Sequence, residues 1–348
     1  MSIRAESVSL GPSPILDILG PDGFAELTAV RVPGRVVWLN IEVAREMGFP
    51  VPAGKARSPE LEAQLVALFS MRALRKGEAL DGREPVPVYA DQYGGSDIHP
   101  CRGAGRSGFI AQGNCYLKGI GHTPLYRKAA SDDFQHTHGG FSLRESMFEA
   151  MFGEVNAHLL THGSARILAI VDQGELTIHP DGMQEARAIA VRVGPQLRPA
   201  HVFARALQDR AARLERFLAM TRATGQLAMH QTRSGKSIPD LAATMLRIID
   251  DHARTAAELF RWRMLHGAIS MSNMEMSGAM LDTTTQSAQP RTAPLKILTD
   301  HFDPNIVYGK EHLQRAQELE LLYRAIVRGM PDGKRRAMNA VKVDFVDA

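Results

Sequence analysis

The feature that most constrains this chain is a change of hydrophobic period near its middle. Up to about residue 195 the apolar residues come in short runs of β character, at 86–90, 107–111, 114–118, 166–171, 175–179 and 188–193, each bounded by Gly, Pro, Asp or Asn. Beyond that point they recur at helical spacing, over 202–224, 239–265 and 311–328. Such a chain is expected to be α+β, with a sheet of about five or six strands in a first lobe (1–195) and a mainly helical second lobe (196–348).

Two helices of the first lobe have well-marked starts. Ser58-Pro59 supplies a hydroxyl cap and a proline for the first turn, and Leu61, Leu65, Leu68 and Phe69 follow on one face. Ser142-Leu143-Arg144-Glu145 matches a capping box, which predicts a helix over 142–160 with Met147, Met151, Val155 and Leu159 as its apolar side. The polar stretch 283–289 reads as loop, and residues 1–85 otherwise carry little pattern.

Composition narrows the function classes. With 44% hydrophobic and 23% charged residues in 348, the chain is globular and of two-domain size, which excludes disorder, collagen and coiled coil. A formal charge of +3 is too small to make nucleic acid the expected partner, and the short basic run at Gly333-Lys334-Arg335-Arg336 reads as a solvated face. Two cysteines, Cys101 and Cys115, make neither a disulfide framework nor a C-x-x-C pair. No run approaches the roughly 18 apolar residues of a membrane helix. The first residues, MSIRAESVSLGPSP, resemble neither a signal peptide nor a transit presequence, so a soluble, cytoplasmic protein without membrane partner is expected.

Three segments carry candidate chemistry. In the first, a two-residue turn at Ser277-Gly278 would set Asn273 opposite Asp282 across a hairpin ladder. Directly opposed Cβ atoms lie about 4.5–5.5 Å apart, within reach of one hard cation, although both residue types also serve as plain turn caps. In the second, a strand ends in Lys118 and runs into Gly119-Ile120-Gly121-His122. A strand lysine beside a loop without side chains suits a phosphate, and an exposed edge lysine is the plain alternative. Glu149, one turn after Glu145 on the capped helix, could pair with Lys118 as a helix glutamate does in kinase-like sites, and a solvated helix residue is the plain alternative. In the third, Arg192 and Arg198 flank the turn joining the lobes, and two such guanidinium groups converging on one cleft would suit a triphosphate. The histidines His99, His122 and His136-Thr137-His138 lack the spacing of a zinc site and read as loop residues near nucleotide or substrate. Met271, Met274, Met276 and Met280 read as adaptable core packing.

Taken in order, Tyr89-Ala90-Asp91-Gln92-Tyr93-Gly94, Gly103-Ala104-Gly105-Arg106, Leu117-Lys118-Gly119-Ile120-Gly121-His122-Thr123-Pro124, Leu143-Arg144-Glu145-Ser146, Val191-Arg192-Val193-Gly194-Pro195, and His266-Gly267 through Asn273-Met274 to Asp282 resemble the selenoprotein O family of pseudokinase-fold protein adenylyltransferases. The likeness covers roughly residues 89–282. It implies a protein kinase-like bilobal fold that binds ATP in inverted orientation and transfers AMP to a hydroxyl. Carried over position by position, Lys118 contacts phosphates with Glu149 as its helix partner, and Arg192 and Arg198 hold the reversed triphosphate. Gly105, Arg106, Gly119, Gly121, His138 and Gly139 fall on the nucleotide loops. Asn273 and Asp282 bind Mg²⁺ or Mn²⁺, with Lys118, Glu149 and Asp282 as the catalytic set.

The chain also departs from the family. Ser272 stands where the family has an Asp that is a candidate general base, and an unaided serine takes no proton at neutral pH. His138-Gly139-Gly140 stands for Asp-Gly-Arg, His122 for an arginine, and the turn between the two arginines is one residue shorter. The sequence is shorter than typical members and does not extend into their redox-active C-terminal region, so redox control through that tail is not expected. Three outcomes follow: AMP transfer to a protein or peptide, ATP-dependent activation of a small-molecule or peptide carboxylate, or nucleotide binding without turnover by an interaction module.

Overall fold

Eight antiparallel strands form the largest element of the computed structural model, which describes residues 10–52, 58–94, 103–126, 134–194, 196–204, 207, 209–290, 292, 317, 321, 322 and 324. The chain divides into two compact units. One comprises Met1–Gln92, Cys101–Glu154 and Ala165–Pro195; the other comprises Tyr93–Pro100, Val155–Ser164 and Gln196–Ala348. The expected helix at 311–328, apart from four described positions, lies outside the described residues, as do the basic run at 333–336, His99, Cys101 and the side chain of His136.

In the first unit the strands are β1 (Phe24–Arg31), β2 (Arg35–Leu39), β3 (Met71–Ala73), β4 (Pro85–Asp91), β5 (Ser107–Phe109), β6 (Tyr116–Lys118), β7 (Arg166–Ile178) and β8 (Gln184–Val193), in the spatial order β2-β7-β8-β6-β5-β4-β1-β3. The sheet is wider than expected because β1, β2 and β3 come from the segment with little sequence pattern. Each gains its identity from a partner: β1 pairs with β4 through seven residue pairs, and β2 with β7. The two runs at 166–171 and 175–179 are one strand, kinked where the register to β8 shifts between Asp172 and Leu176. Pro85 and Pro87 are tolerated in β4 because its only pair with β5 is at Tyr89, so at the prolines that edge has no ladder to break.

The sheet's two faces are separated by strand alternation. On β8, Ile189 and Val191 enter a large core with Leu117 of β6 and with Leu61, Leu65 and Phe69 of a helix (Pro59–Phe69). This is α3, following α1 (Pro14–Leu19) and α2 (Ile41–Glu46). Its start is as read: Ser58 Oγ accepts from the Leu61 amide at 3.1 Å, with Pro59 in the first turn. Leu68 packs only partly buried at the core's margin. Ala188 and Ala190, on the opposite face, pack with Phe141 and Ala150. Their small side chains let a helix approach closely.

That helix is α5 (Leu143–Leu159), preceded by the single turn α4 (Phe134–Thr137). Its capping box closes in both directions, Ser142 N–H to Glu145 at 3.1 Å and Glu145 N–H to Ser142 Oγ at 3.1 Å. The expected apolar side is corrected. Met147, Met151 and Leu159 are exposed, Met151 by 49%, whereas Ser146, Glu149, Ala150 and Asn156 are buried. The helix turns a polar stripe inward because ion pairs and hydrogen bonds await it there, and that demand overrides the hydrophobic pattern.

The second unit is mainly helical. The helix α6 (Arg210–Ala223) begins eight residues later than expected, because Asp209 captures the amides of Ala211 and Ala212, while Pro199–Phe203 is a separate 3₁₀ turn. The helix α7 (Leu241–Arg261) is capped by Asp240, and the residues before it pair as a hairpin of β9 (Ala228–Gln231) with β10 (Ser237–Asp240) that the periodicity did not reveal. The short strands β11 (Met264–Leu265) and β12 (Ser287–Ala288) also pair, so part of the expected 283–289 loop is strand. Leu160, Leu259, Met264, Ile269, Met274 and Met280 form a core cluster, and Met271 and Met276 are buried too, as the packing reading of the methionines expects. No helix among the described residues is long and apolar enough to cross a membrane. Leu65→Ala, at a fully buried position of α3, should cost about 2–5 kcal/mol of stability, measured as a lowered urea midpoint at unchanged slope.

Candidate functional site

Lys118 ends an interior strand, with β5 on one side and β8 on the other, so the edge-lysine alternative does not hold. Tyr116 faces Arg192 and Lys118 faces Ala190 across the β6–β8 ladder. Lys118 and Arg192 are therefore diagonal neighbours on one face, a spacing of about 7–8 Å between such positions. Both are buried, and so is Glu149 of α5, which packs on that face. Lys118 Nζ donates to Glu149 Oε2 at 2.9 Å, and Arg192 donates to Glu149 Oε1. Ring faces complete the enclosure: Lys118 Nζ lies 4.4 Å from the Phe141 centroid, and the Arg192 guanidinium 5.6 Å from that of Tyr116. Two cations thus share one carboxylate in a water-poor setting, and a second buried carboxylate, Asp91, accepts from Tyr116 Oη at 3.0 Å.

The loops at the end of β6 assemble the other nucleotide-loop positions of the first unit. Arg106 O accepts from the amides of Gly119 and Ile120 at 2.9 and 3.2 Å, Gly105 O from Thr123 at 3.1 Å, and Gly139 O from Gly121 at 3.0 Å. Arg106 Nη1 donates to Gly140 O at 3.0 Å, and its guanidinium lies over Phe141. The amides of the Gly-x-Gly segment are thus spent on loop structure, and what the glycines contribute is close approach. At Gly119, φ is +105°, and an added Cβ would stand 2.4 Å from Ala188 O. His138 accepts the Gly140 N–H at Nδ1 (3.1 Å), which leaves the ring proton on Nε2. Burial and the neighbouring Arg106 hold this imidazole neutral, with its pKa lowered to about 4.

In the second unit the hairpin forms, but in another register. Glu275 N–H reaches Ala279 O, Gly278 N–H reaches Glu275 O, and Leu281 N–H reaches Asn273 O. Asn273 thus faces Leu281 rather than Asp282, one residue from the expected pairing. Ser277-Gly278 is not a two-residue turn: Met276, Ser277 and Gly278 together join Glu275 to Ala279, with Gly278 at φ +85°, where a Cβ would be 2.8 Å from Asp251 O. Asn273 Nδ2 donates to Ala268 O at 2.8 Å, and Asp282 Oδ1 accepts from Thr284 Oγ1 at 2.8 Å. Buried His266 takes the Ala268 N–H at Nδ1 and donates from Nε2 to Asp282 O, and burial lowers its pKa, so it tethers this backbone as a neutral ring. Arg198, also of this unit, is buried, donates to Ser272 O and lies 4.8 Å over the Tyr93 ring. The Ser272 hydroxyl pairs with that of Ser270 at 2.8 Å, two neutral groups that supply no base. Sequence reading passed over Glu275, where burial lifts the carboxyl to about 7. Its one signal was a lone charge within a run of methionines.

No protein-family profile matches the chain. It is 26% identical over 264 residues to the protein nucleotidyltransferase YdiU of Maridesulfovibrio salexigens, a match covering 73% of this chain and 48% of that protein. The chain therefore spans about half the length of the curated relative it matches. A Toxoplasma gondii specific rhoptry antigen kinase domain overlaps 72% of this chain and 68% of its own at 9% identity, with a TM-score of 0.28, too loose a superposition to assign any residue a role.

Two outcomes check the site. Glu149→Gln removes the carboxylate charge that the buried Lys118 and Arg192 share, and should cost about 3–5 kcal/mol in thermal or urea unfolding. Proton NMR titration of His138 should place its midpoint near 4. A midpoint near the ordinary histidine value would contradict the described burial. The sign follows from the lowered pKa: this ring contributes stability that is lost as pH falls from the unfolded value of about 6.5 toward 4.

Proposed function

We propose that the protein is an ATP-dependent nucleotidyltransferase resembling selenoprotein O, transferring AMP to an acceptor. The observation that carries this reading is the buried Lys118–Glu149–Arg192 cluster, in which two cations of the kind that hold phosphate oxygens meet at one carboxylate. The distant YdiU match supports the same reaction class. Lys118 and Arg192 hold phosphate oxygens, Glu149 keeps both cations in place, and Arg106 and Arg198 add positive charge to the nucleotide's surroundings. Asn273 and Asp282 offer an amide oxygen and a carboxylate, a donor set suited to Mg²⁺ or Mn²⁺. Such an ion, when bound, withdraws charge from the phosphates. The acceptor oxygen attacks the α-phosphorus as the bond to the bridging oxygen breaks, and pyrophosphate leaves with the electron pair.

The acceptor is a protein, a peptide or a small molecule. Ser272, paired only with another hydroxyl in the contacts described for its side chain, favours one that needs no deprotonation, such as a carboxylate, giving an acyl-adenylate or acyl-phosphate. Incubation with ATP labelled at the α- or γ-phosphate tests both readings. AMP transfer moves only the α-label, and acyl activation yields an ATP-dependent hydroxamate when hydroxylamine is present. Binding of ATP with neither product would make the chain an interaction module. Asp282→Asn should lower either turnover by about 100-fold or more, and unchanged turnover would remove Asp282 from the metal site.

A further inference from the structure

The first unit contains a cavity of about 660 Å³ that none of Lys118, Glu149 or Arg192 lines. Its wall gathers Arg72, Arg75, Lys76 and Arg187 with His122 and His138. Two of the four cations are partly balanced: Arg72 forms a two-pronged pair with Glu78, and Arg187 Nη1 donates to Glu175 at 3.2 Å. Arg75 and Lys76 are exposed and make no ion pair among the described residues. The Arg187 Nε–H is buried and makes no hydrogen bond among the described residues. Neither histidine offsets this charge. His138 is held neutral with its proton on Nε2, and His122 spends its Nε2 on Thr137 O at 2.6 Å while stacking on Tyr126.

The cavity therefore holds more positive charge than its carboxylates offset, including a buried donor without an acceptor, in a volume typical of small-ligand sites. Guanidinium and ammonium groups converging from several sides match the oxygens of a phosphate, which accept from several directions at once. Apolar Leu74 and Ile120 in the same wall leave room for an uncharged portion of the ligand.

We propose that this cavity binds a small phosphorylated anion at a site separate from the Lys118 cluster, with Arg75, Lys76 and Arg187 as its phosphate-holding groups. The wall shares Gly121 and His138 with the nucleotide loops of the family resemblance, but the three phosphate-holding groups proposed here take no part in that reading. The test is calorimetric titration of the full chain with inorganic pyrophosphate in metal-free, low-salt buffer. In the Lys118→Met background, which disables the other proposed phosphate-holding site, pyrophosphate should still bind, and adding Arg75→Ala with Lys76→Ala should weaken that binding about tenfold or more. Absence of binding to Lys118→Met, or binding by it that Arg75→Ala with Lys76→Ala leaves unchanged, would each overturn the proposal. Citrate serves as the competing chemistry, and citrate binding as tight as pyrophosphate would overturn the assignment to phosphate.

Discussion

Two cations in the interior of a β-sheet are tolerable here because a single helix carboxylate reaches both. Lys118 and Arg192 sit on adjacent central strands, on one face, and Glu149 supplies a counter-charge to each. Much of the first unit's layout can be traced to this requirement. Alanines at 188 and 190 let α5 come close, Phe141 covers the lysine, and the helix turns Glu149 and Ser146 inward at the expense of exposing Met147 and Met151. A purely hydrophobic contact at this place would be cheaper to build. That it is ionic is the physical reason to read it as a site.

The loops around β6 extend the same logic. Their glycines do not present free amides; those are consumed in holding the loops against one another. They allow backbone to pass where a side chain could not, as at Gly119 beside Ala188. Positive charge then accumulates on both sides of the segment after β6, at the Lys118 cluster and around the cavity with Arg75 and Arg187. The low pKa of His138 reflects burial first and then the charges of Arg106 and Arg187.

How much was legible in the residues depended on how local the cause was. The caps at Ser58 and Ser142 act within four residues, and both helices start where those residues placed them. The Lys118–Glu149 pair was open in the sequence beside an edge lysine and a solvated glutamate, because a contact between residues 31 apart depends on how the helix packs on the sheet. The hairpin was readable in kind but not in register, since its loop takes in Met276 as well as Ser277 and Gly278, and Ser-Gly alone does not fix a loop length. β1, β2 and β3 were invisible because their pairing, not their composition, makes them strands.

The sequence by itself determined the class, a strand-rich half followed by a helical half, and the identity of the charged residues around Lys118. It did so because periodicity and capping are short-range effects. Tertiary structure alone decided which face of α5 is buried, which residue opposes Asn273, and that Lys118 lies in an interior rather than an edge strand. Those outcomes depend on which distant groups are left needing a partner once the chain has closed on itself, and no local pattern records that.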